Sequence, residues 1–321
     1  MQTAVVNRAS PASLNRTGLE QAVNVSVSPL PENGSTVQAV IAGMLVMLAG
    51  TIPRNILFAA NLRYVPSLPW AVPIVAVYLW IFWRYLSGDG PPAETRAWRR
   101  SSLRANPLSA RAWTLALLAG GLGIVALVLG LWLANRMVVL PAQDASELAG
   151  IPPLTVWSLL LVAAPVAGII EEAAFRGYMQ RPIERLHGPA IAILVTGTMF
   201  AVAHLDFTPI LWPYYVAVAA VYGMVSFLTD SIRPAIVLHT AGNLYSHTDL
   251  LLHGKAEWQA PAGSSALVWS TGVDTSFAIT LAAFLLVSTA AWLAYRALAV
   301  ATTAYVASGS PGPDETTRRQ R

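Results

Sequence analysis

Residues 154–179 read LTVWSLLLVAAPVAGIIEEAAFRGYM, an apolar run whose three ionisable side chains lie close together near its end. The run is longer than the about 20 residues that an α-helix needs to cross a bilayer. Its ionisable residues are Glu171, Glu172 and Arg176. Since an ionisable group inside a span costs about 2.5–3.5 kcal/mol on insertion scales, such groups are functional candidates. The stretch therefore predicts a membrane-spanning helix that carries chemistry.

The composition of the whole chain agrees with a membrane location. Of 321 residues, 55% are hydrophobic and only 11% are charged. A soluble domain carries about 25% charged residues, so a water-soluble fold is excluded. The eleven Trp and ten Tyr suit a protein with two membrane–water interfaces. The absence of Cys excludes a disulfide scaffold and a cysteine nucleophile.

Apolar runs of spanning length predict an all-α integral membrane protein, a polytopic bundle of about eight transmembrane helices. The first run contains Pro53 and Arg54, which we expect to interrupt or kink it. The predicted spans are 37–60, 67–86, 111–134, 154–179, 189–206, 210–229, 232–252 and 275–306. They group into N-terminal helices (37–134), a core (150–253) and a last helix (275–306), between disordered tails at 1–36 and 307–321.

The positive charge is arranged for membrane orientation. The net charge is +4, and all basic residues except Lys255 are arginines. Six arginines cluster around the polar stretch between the second and third spans: Arg84, Arg96, Arg99, Arg100, Arg104 and Arg111. Positive loops stay in the cytoplasm, which predicts both termini inside. The same cluster is compatible with anionic lipid, whereas its position argues against nucleic acid. The bias towards Arg and Ala suggests a bacterial cytoplasmic membrane.

Polar residues inside two further spans share the four-residue spacing of one helix face. Phe200 and His204 lie in the fifth span, and His239 and Asn243 lie in the seventh. In the fourth span the same spacing lets Glu172 pair with Arg176. Glu171 is turned about 100° away on an α-helix and has no local cation, which suits a general base. From these residues alone, an active site, a polar transport pathway and structural polar contacts all stay open.

The ordered set of motifs resembles one protease family. The residues are Glu171-Glu172-x-x-x-Arg176, Phe200-x-x-x-His204 and His239-x-x-x-Asn243, with Ser231-Ile232-Arg233-Pro234 leading into the last. They resemble the signature motifs of the CPBP intramembrane proteases, also called Abi. That family includes type II CAAX prenyl endopeptidases and bacteriocin-immunity proteins. The resemblance covers roughly residues 150–250, and the earlier spans match only in being hydrophobic.

The resemblance implies a membrane-embedded endopeptidase acting on a membrane-associated protein or peptide, prenylated or not. Glu171 is expected to activate a water, His204 to hold that water, and His239 and Asn243 to stabilise the oxyanion. Glu172, Arg176 and Phe200 are expected to support them. The alternative is a non-proteolytic membrane partner, an immunity protein or a small-solute carrier that uses the same polar cluster. The oligomeric state stays open.

Metal dependence is a separate open question. Glu171, His204 and His239 form a zinc-like ligand set with one position left for water. A His-Glu-x-x-His motif, which would strengthen a zinc assignment, is not present in the sequence. The chemistry is therefore consistent with no cofactor or with a divalent metal such as zinc.

One geometric conflict arises from the predicted spans. Counted at about 1.5 Å per residue, Glu171 and His239 lie some 10 Å from the cytoplasmic ends of their helices, but His204 lies more than 20 Å deep. Either the fifth span is short or tilted, or the predicted boundaries of the other two are wrong. Among the remaining histidines, His187 and His253 are expected in loops or at span ends, and His247 is a weaker candidate one turn beyond Asn243.

Overall fold

The computed structural model describes residues 34–140, 150–204, 209–254 and 266–307. Within them the chain is helical, and extended pairing is limited to one isolated bridge between Ala105 and Ser231. The predicted all-α fold is confirmed. The predicted disordered tails lie outside the described residues, apart from the few positions next to the first and last helices.

The described helices run in the following order. They are α1 (Thr36–Tyr64), α2 (Ala71–Leu86), α3 (Arg96–Leu103), α4 (Ala110–Met137), α5 (Pro153–Glu171), α6 (Arg181–His187), α7 (Pro189–Ala203), α8 (Trp212–Thr229), α9 (Arg233–His253), α10 (Val268–Thr271) and α11 (Thr275–Ala307). A π-helical segment, Glu172–Gln180, joins α5 to α6. Each predicted span overlaps one long helix of this set. The most extensive interhelical contact is between α4 and α11.

Five of these helices are long and apolar enough to cross a membrane, which makes this an integral membrane protein. They are Thr36–Tyr64, Ala110–Met137, Pro153–His187, Trp212–Thr229 and Thr275–Thr303. The helices α2 and α7 are apolar but have only 16 and 15 residues. At about 1.5 Å per residue, 15 residues cover about 22 Å of a hydrocarbon core that is about 30 Å thick. The predicted count of about eight spans is therefore not confirmed.

The first helix is continuous, in contrast to the predicted interruption. Pro53 lies inside α1, which runs unbroken on both sides of it. A Cβ atom on Gly50 would lie 2.5 Å from Ile170, and one on Gly43 would lie 2.8 Å from Met179. Such close approach shows that α1 packs with its backbone directly against the α5–π–α6 helix. The first helix thereby covers the segment that carries Glu171 and Glu172.

Residues 87–110, which we call the arginine-rich cap, fold onto one end of the bundle. The Arg99 side chain is buried and donates hydrogen bonds to the carbonyls of Tyr85, Asp89, Gly90 and Pro92. The Arg104 side chain, 3% exposed, pairs with Glu184 at 3.0 Å and with Asp230 at 2.8 Å. Arg104 therefore fastens the cap to the bundle, whereas Arg99 orders the cap against the end of α2.

The true helix ends change the depth of Glu172 and His204. The fourth predicted span ends at 179, whereas the helix continues through the π segment to His187. Glu172 lies 15 residues before His187 (187 − 172), and His204 lies 15 residues after Pro189 (204 − 189). Both residues are thus about 20 Å from the turn at Gly188. His239 lies only six residues after the start of α9 at Arg233 (239 − 233), about 9 Å along the helix, so the conflict stays for His239.

Candidate active site

His239 lies between the two consecutive glutamates. Its Nδ1 atom is 2.8 Å from Oε1 of Glu172, and its Nε2 atom is 3.7 Å from Oε2 of Glu171. An ionised carboxylate only accepts hydrogen bonds, so Nδ1 donates to Glu172 and a neutral ring presents Nε2 as an acceptor. The 3.7 Å separation is too long for a direct hydrogen bond. The gap between Nε2 and Glu171 is therefore a place for a proton or a bridging water.

Glu172 and Arg176 form the ion pair that their spacing predicts. The Glu172 carboxylate is fully buried, and Nη1 of Arg176 lies 3.1 Å from its Oε1 atom. Nη2 of Arg176 donates a hydrogen bond to the carbonyl of Ala219. The guanidinium also lies 5.0 Å from the Phe200 ring and 5.4 Å from the Tyr222 ring. Arg176 thus balances the buried carboxylate and does not reach into the cavity described below.

A π-helical segment begins at the second of the two glutamates. Residues Glu172–Gln180 form i→i+5 turns, which are wider than α-helical turns and are frequent at functional sites. A Cβ atom on Gly177 would lie 2.9 Å from the carbonyl oxygen of Ser102, so this helix also touches the arginine-rich cap. An ideal α-helix would turn Glu171 about 100° away from Glu172. In the structure the two carboxylates instead approach opposite edges of the His239 ring.

His204 follows the end of α7 and is the most exposed of the candidate residues. Its Nδ1 atom lies 2.8 Å from the carbonyl oxygen of Phe200. A carbonyl only accepts, so Nδ1 carries the proton and Nε2 is left for chemistry. The Phe200 ring lies 4.5 Å from the His204 ring and 6.0 Å from the His239 ring, measured between centroids. Phe200 therefore separates the two imidazoles and packs against both.

A cavity of about 80 Å³ connects three of the four predicted catalytic residues. His204, His239 and Asn243 line it together with Phe200 and aromatic and aliphatic residues of α4, α8 and α9. Its size gives room for a few water molecules. Glu171 stands behind His239 with a side chain that is 13% exposed, whereas Glu172 is fully buried. The structure thus brings the four residues together, and of the two glutamates only Glu171 has a partly exposed side chain.

The proposed metal ligands do not form a metal site. In the part of the chain that the structure describes, no three His, Asp or Glu side chains are grouped closely enough to hold a metal ion. Nδ1 of His239 is engaged by Glu172, and Nδ1 of His204 is engaged by a backbone carbonyl, so each ring keeps Nε2 free. The described arrangement does not bring Glu171, His204 and His239 within reach of one metal ion, and the mechanism proposed for this site uses protein groups and water alone.

The remaining polar candidates fall outside the cavity. His247 lies 2.8 Å from the carbonyl of Leu160, where it ties α9 to α5. His187 contacts Thr36, and His253 contacts Asp249. Asp206 lies outside the described residues.

Sequence reasoning missed one cation and one pair of aromatic residues. Arg54 of α1 interacts electrostatically with Glu171. The sequence did not indicate this cation for Glu171, because the two residues lie on helices that are far apart in the chain. Tyr215 is buried against His204, and Tyr222 is buried against His239. Their seven-residue spacing, two helical turns, is the signal that could have marked a shared face.

Comparison with known proteins supports the family resemblance. A family model described as type II CAAX prenyl endopeptidase Rce1-like matches residues 153–245. The match contains all four predicted catalytic residues, from Glu171 in α5 to Asn243 in α9. Comparisons with curated proteins and with solved structures gave no match. Residues 153–245 of this integral membrane protein therefore match the model of a CAAX protease family, in agreement with the resemblance to the CPBP proteases.

Proposed function

We propose that the chain is an intramembrane endopeptidase that hydrolyses a peptide bond of a membrane-associated protein or peptide with a Glu171-activated water. One observation supports this proposal above all. His239 lies between Glu171 and Glu172, on the wall of a small cavity that His204 and Asn243 also line. Peptide hydrolysis needs a base, a water and donors aimed at developing negative charge, and this arrangement supplies a candidate for each. The family match to a CAAX endopeptidase supports the same reaction.

The proposed mechanism begins with proton transfer from water to Glu171. His204 holds the water through Nε2, and the resulting hydroxide attacks the scissile carbonyl carbon. Glu171 then passes the proton, through a water that bridges the 3.7 Å gap, to Nε2 of His239. The protonated ring, stabilised by Glu172 at Nδ1, and the amide of Asn243 donate hydrogen bonds to the oxyanion. Collapse of the tetrahedral intermediate breaks the C–N bond, and the leaving amine takes the proton from His239.

The unequal environments of the two glutamates assign them different roles in this proposal. Glu172 is fully buried and already contacts both Arg176 and His239. Glu171 is partly exposed and lacks a hydrogen-bonded partner within 3.5 Å on His239. Glu171 is therefore the base, while Glu172 fixes the orientation and the tautomer of His239.

The proposed location follows from the charge distribution. We place the protein in a bacterial cytoplasmic membrane with the arginine-rich cap on the cytoplasmic side, because short positive loops stay inside. Apart from the catalytic groups and Ser246, the cavity walls are mainly aromatic and aliphatic. Such a lining suits an apolar segment of substrate, and a prenylated peptide is one substrate of that kind.

The test is cleavage of a peptide panel by purified protein in detergent or in liposomes. The panel contains prenylated and unprenylated versions of the same sequences, and cleavage is followed by mass spectrometry. We expect wild-type protein to cleave at least one member and Glu171→Ala to cleave none. Glu94→Gln, which alters an exposed carboxylate in the arginine-rich cap, is the matched control. Equal cleavage by wild type and Glu171→Ala, or cleavage by neither, contradicts the proposal. A chelator added to the active protein tests metal dependence separately.

A further inference from the structure

Two tyrosines of α8 stack on the two candidate catalytic histidines. Tyr222 and His239 have ring centroids 4.9 Å apart, and their planes differ by 13°. Tyr215 and His204 have centroids 4.3 Å apart, and their planes differ by 28°. Both tyrosines are almost completely buried, at 3% and 4% exposure. Residues seven apart on a helix lie on one face, so both tyrosine rings project from the same face of α8 towards the cavity.

The stacking supplies a restraint that the hydrogen bonds lack. Each imidazole is held at Nδ1, His239 by Glu172 and His204 by the Phe200 carbonyl. One hydrogen bond fixes one ring atom but leaves the ring free to rotate about that contact. A parallel aromatic ring against the imidazole face restricts this rotation and thereby fixes where Nε2 points. The reaction depends on that direction, because Nε2 is the nitrogen left for chemistry in both rings.

Tyr222 also contacts the guanidinium of Arg176. Its ring stacks on His239, and the guanidinium carbon of Arg176 lies 5.4 Å from its centroid. The negative face of an aromatic ring attracts a cation. The Tyr222 ring is thereby held by Arg176 as well as by the stack on His239. Tyr215 provides a ring face of the same kind to His204.

We propose that Tyr215 and Tyr222 are positioning residues that hold the imidazole planes of His204 and His239 in the orientation needed for peptide hydrolysis. The inference rests on the proposed endopeptidase function for its kinetic consequence. The ring, not the hydroxyl, carries the role. Phe at either position keeps the stack, whereas Leu removes it while leaving an apolar side chain of moderate size.

The kinetic test compares these variants for the best substrate of the panel. We expect Tyr222→Phe and Tyr215→Phe to keep kcat within about threefold of wild type. We expect the Leu variants to lose about 10- to 100-fold in kcat with little change in KM, because a displacement of about 1 Å can cost about 100-fold. Tyr64→Leu, at an exposed tyrosine on the end of α1, is the control. Tyr222→Met replaces Tyr222→Leu if the latter does not fold.

A spectroscopic test separates this inference from the proposed function. In protein with ¹³C,¹⁵N-labelled histidine, the imidazole signals of His239, assigned with His239→Gln, report the stacked Tyr222 ring through its ring current. We expect those signals to shift in Tyr222→Leu and to stay in place in Tyr222→Phe. If the wild-type protein cleaves nothing but the signals shift in Tyr222→Leu and not in Tyr222→Phe, the result contradicts the proposed endopeptidase function and still supports the positioning of the His239 ring by Tyr222. An unshifted Leu spectrum, or a Phe variant as impaired as the Leu variant, overturns the positioning role.

Discussion

Oε1 of Glu172 lies 2.8 Å from Nδ1 of His239, although 67 residues separate the two in the chain. The contact joins the π-helical segment to α9 and directs the second ring nitrogen towards Glu171. It also places a histidine at the meeting point of two carboxylates with different surroundings. One carboxylate is buried and paired, and the other is partly exposed. The first prediction follows from this difference.

Substitution of the two glutamates is expected to separate catalysis from stability. Glu171→Gln removes the proposed base and should lower the cleavage rate by about 100- to 10,000-fold while the fold is kept. Glu172→Gln leaves the Arg176 guanidinium without its buried partner, which costs about 3–5 kcal/mol. We therefore expect Glu172→Gln to lose both activity and thermal stability. Peptide cleavage and the unfolding midpoint in one detergent are the two measurements. A Glu171→Gln variant that unfolds as early as Glu172→Gln would contradict the division of roles.

A methyl group on Gly168 is expected to displace the catalytic helices. A Cβ atom there would lie 2.6 Å from Oγ1 of Thr240 and 3.2 Å from the carbonyl oxygen of Ile236, so α5 and α9 must separate. Overpacking of this kind costs about 1–3 kcal/mol. Because Glu171 and His239 lie within one turn of this contact, we expect Gly168→Ala to lower kcat by at least about 10-fold.

The control and the rescue for Gly168→Ala come from the same bundle. Gly121→Ala adds a methyl group where no atom lies within 4 Å, and we expect it to be neutral. Thr240→Ala removes the closest obstructing atom, so the double variant Gly168→Ala/Thr240→Ala should recover part of the lost rate. A double variant that is slower than Gly168→Ala would show that the loss has another cause.

Arg104 is expected to be a stability determinant of the arginine-rich cap. Its side chain is 3% exposed and pairs with Glu184 and Asp230. Arg104→Ala leaves the Glu184 carboxylate buried without its cation, and we expect a loss of about 3 kcal/mol in unfolding free energy. Arg84→Ala breaks an exposed pair with Asp89 and should cost less than about 1 kcal/mol. Thermal unfolding of both variants, and of Glu184→Gln with and without Arg104→Ala, measures the coupling. Equal effects of Arg84→Ala and Arg104→Ala would refute the structural role of Arg104.

The orientation in the membrane is accessible to a clean labelling experiment, because the chain has no Cys. Ala93→Cys places an exposed thiol in the arginine-rich cap, and Ser270→Cys places one before α11 at the opposite end of the bundle. We expect a membrane-impermeant thiol reagent added to intact cells to label Cys at 270 and to label Cys at 93 only after lysis. The reverse pattern would place the cap outside and overturn the proposed topology.

The extent to which the sequence predicted the site can be judged residue by residue. The pair Glu172–Arg176 follows from helical spacing alone, because both members lie on one turn. The choice of Glu171, His204, His239 and Asn243 followed from scarcity of polar residues in apolar spans, and the structure brings these four together. The approach of Glu171 and Glu172 to one ring could not be predicted, since it depends on how α9 packs against α5. The interaction of Arg54 with Glu171 and the stacking of Tyr222 on His239 could not be predicted either, since both are contacts between helices.

The sequence by itself determined the membrane environment, the helical class and the identity of the polar groups inside it. Hydropathy and helical periodicity are local properties, and a few neighbouring residues are enough to establish them. Only the tertiary structure decided which glutamate is buried and which face of each histidine is free. It also showed that Arg104 joins the arginine-rich cap to the bundle through Glu184 and Asp230. These features depend on side chains that meet across helices, where distance in the chain carries no information about distance in space.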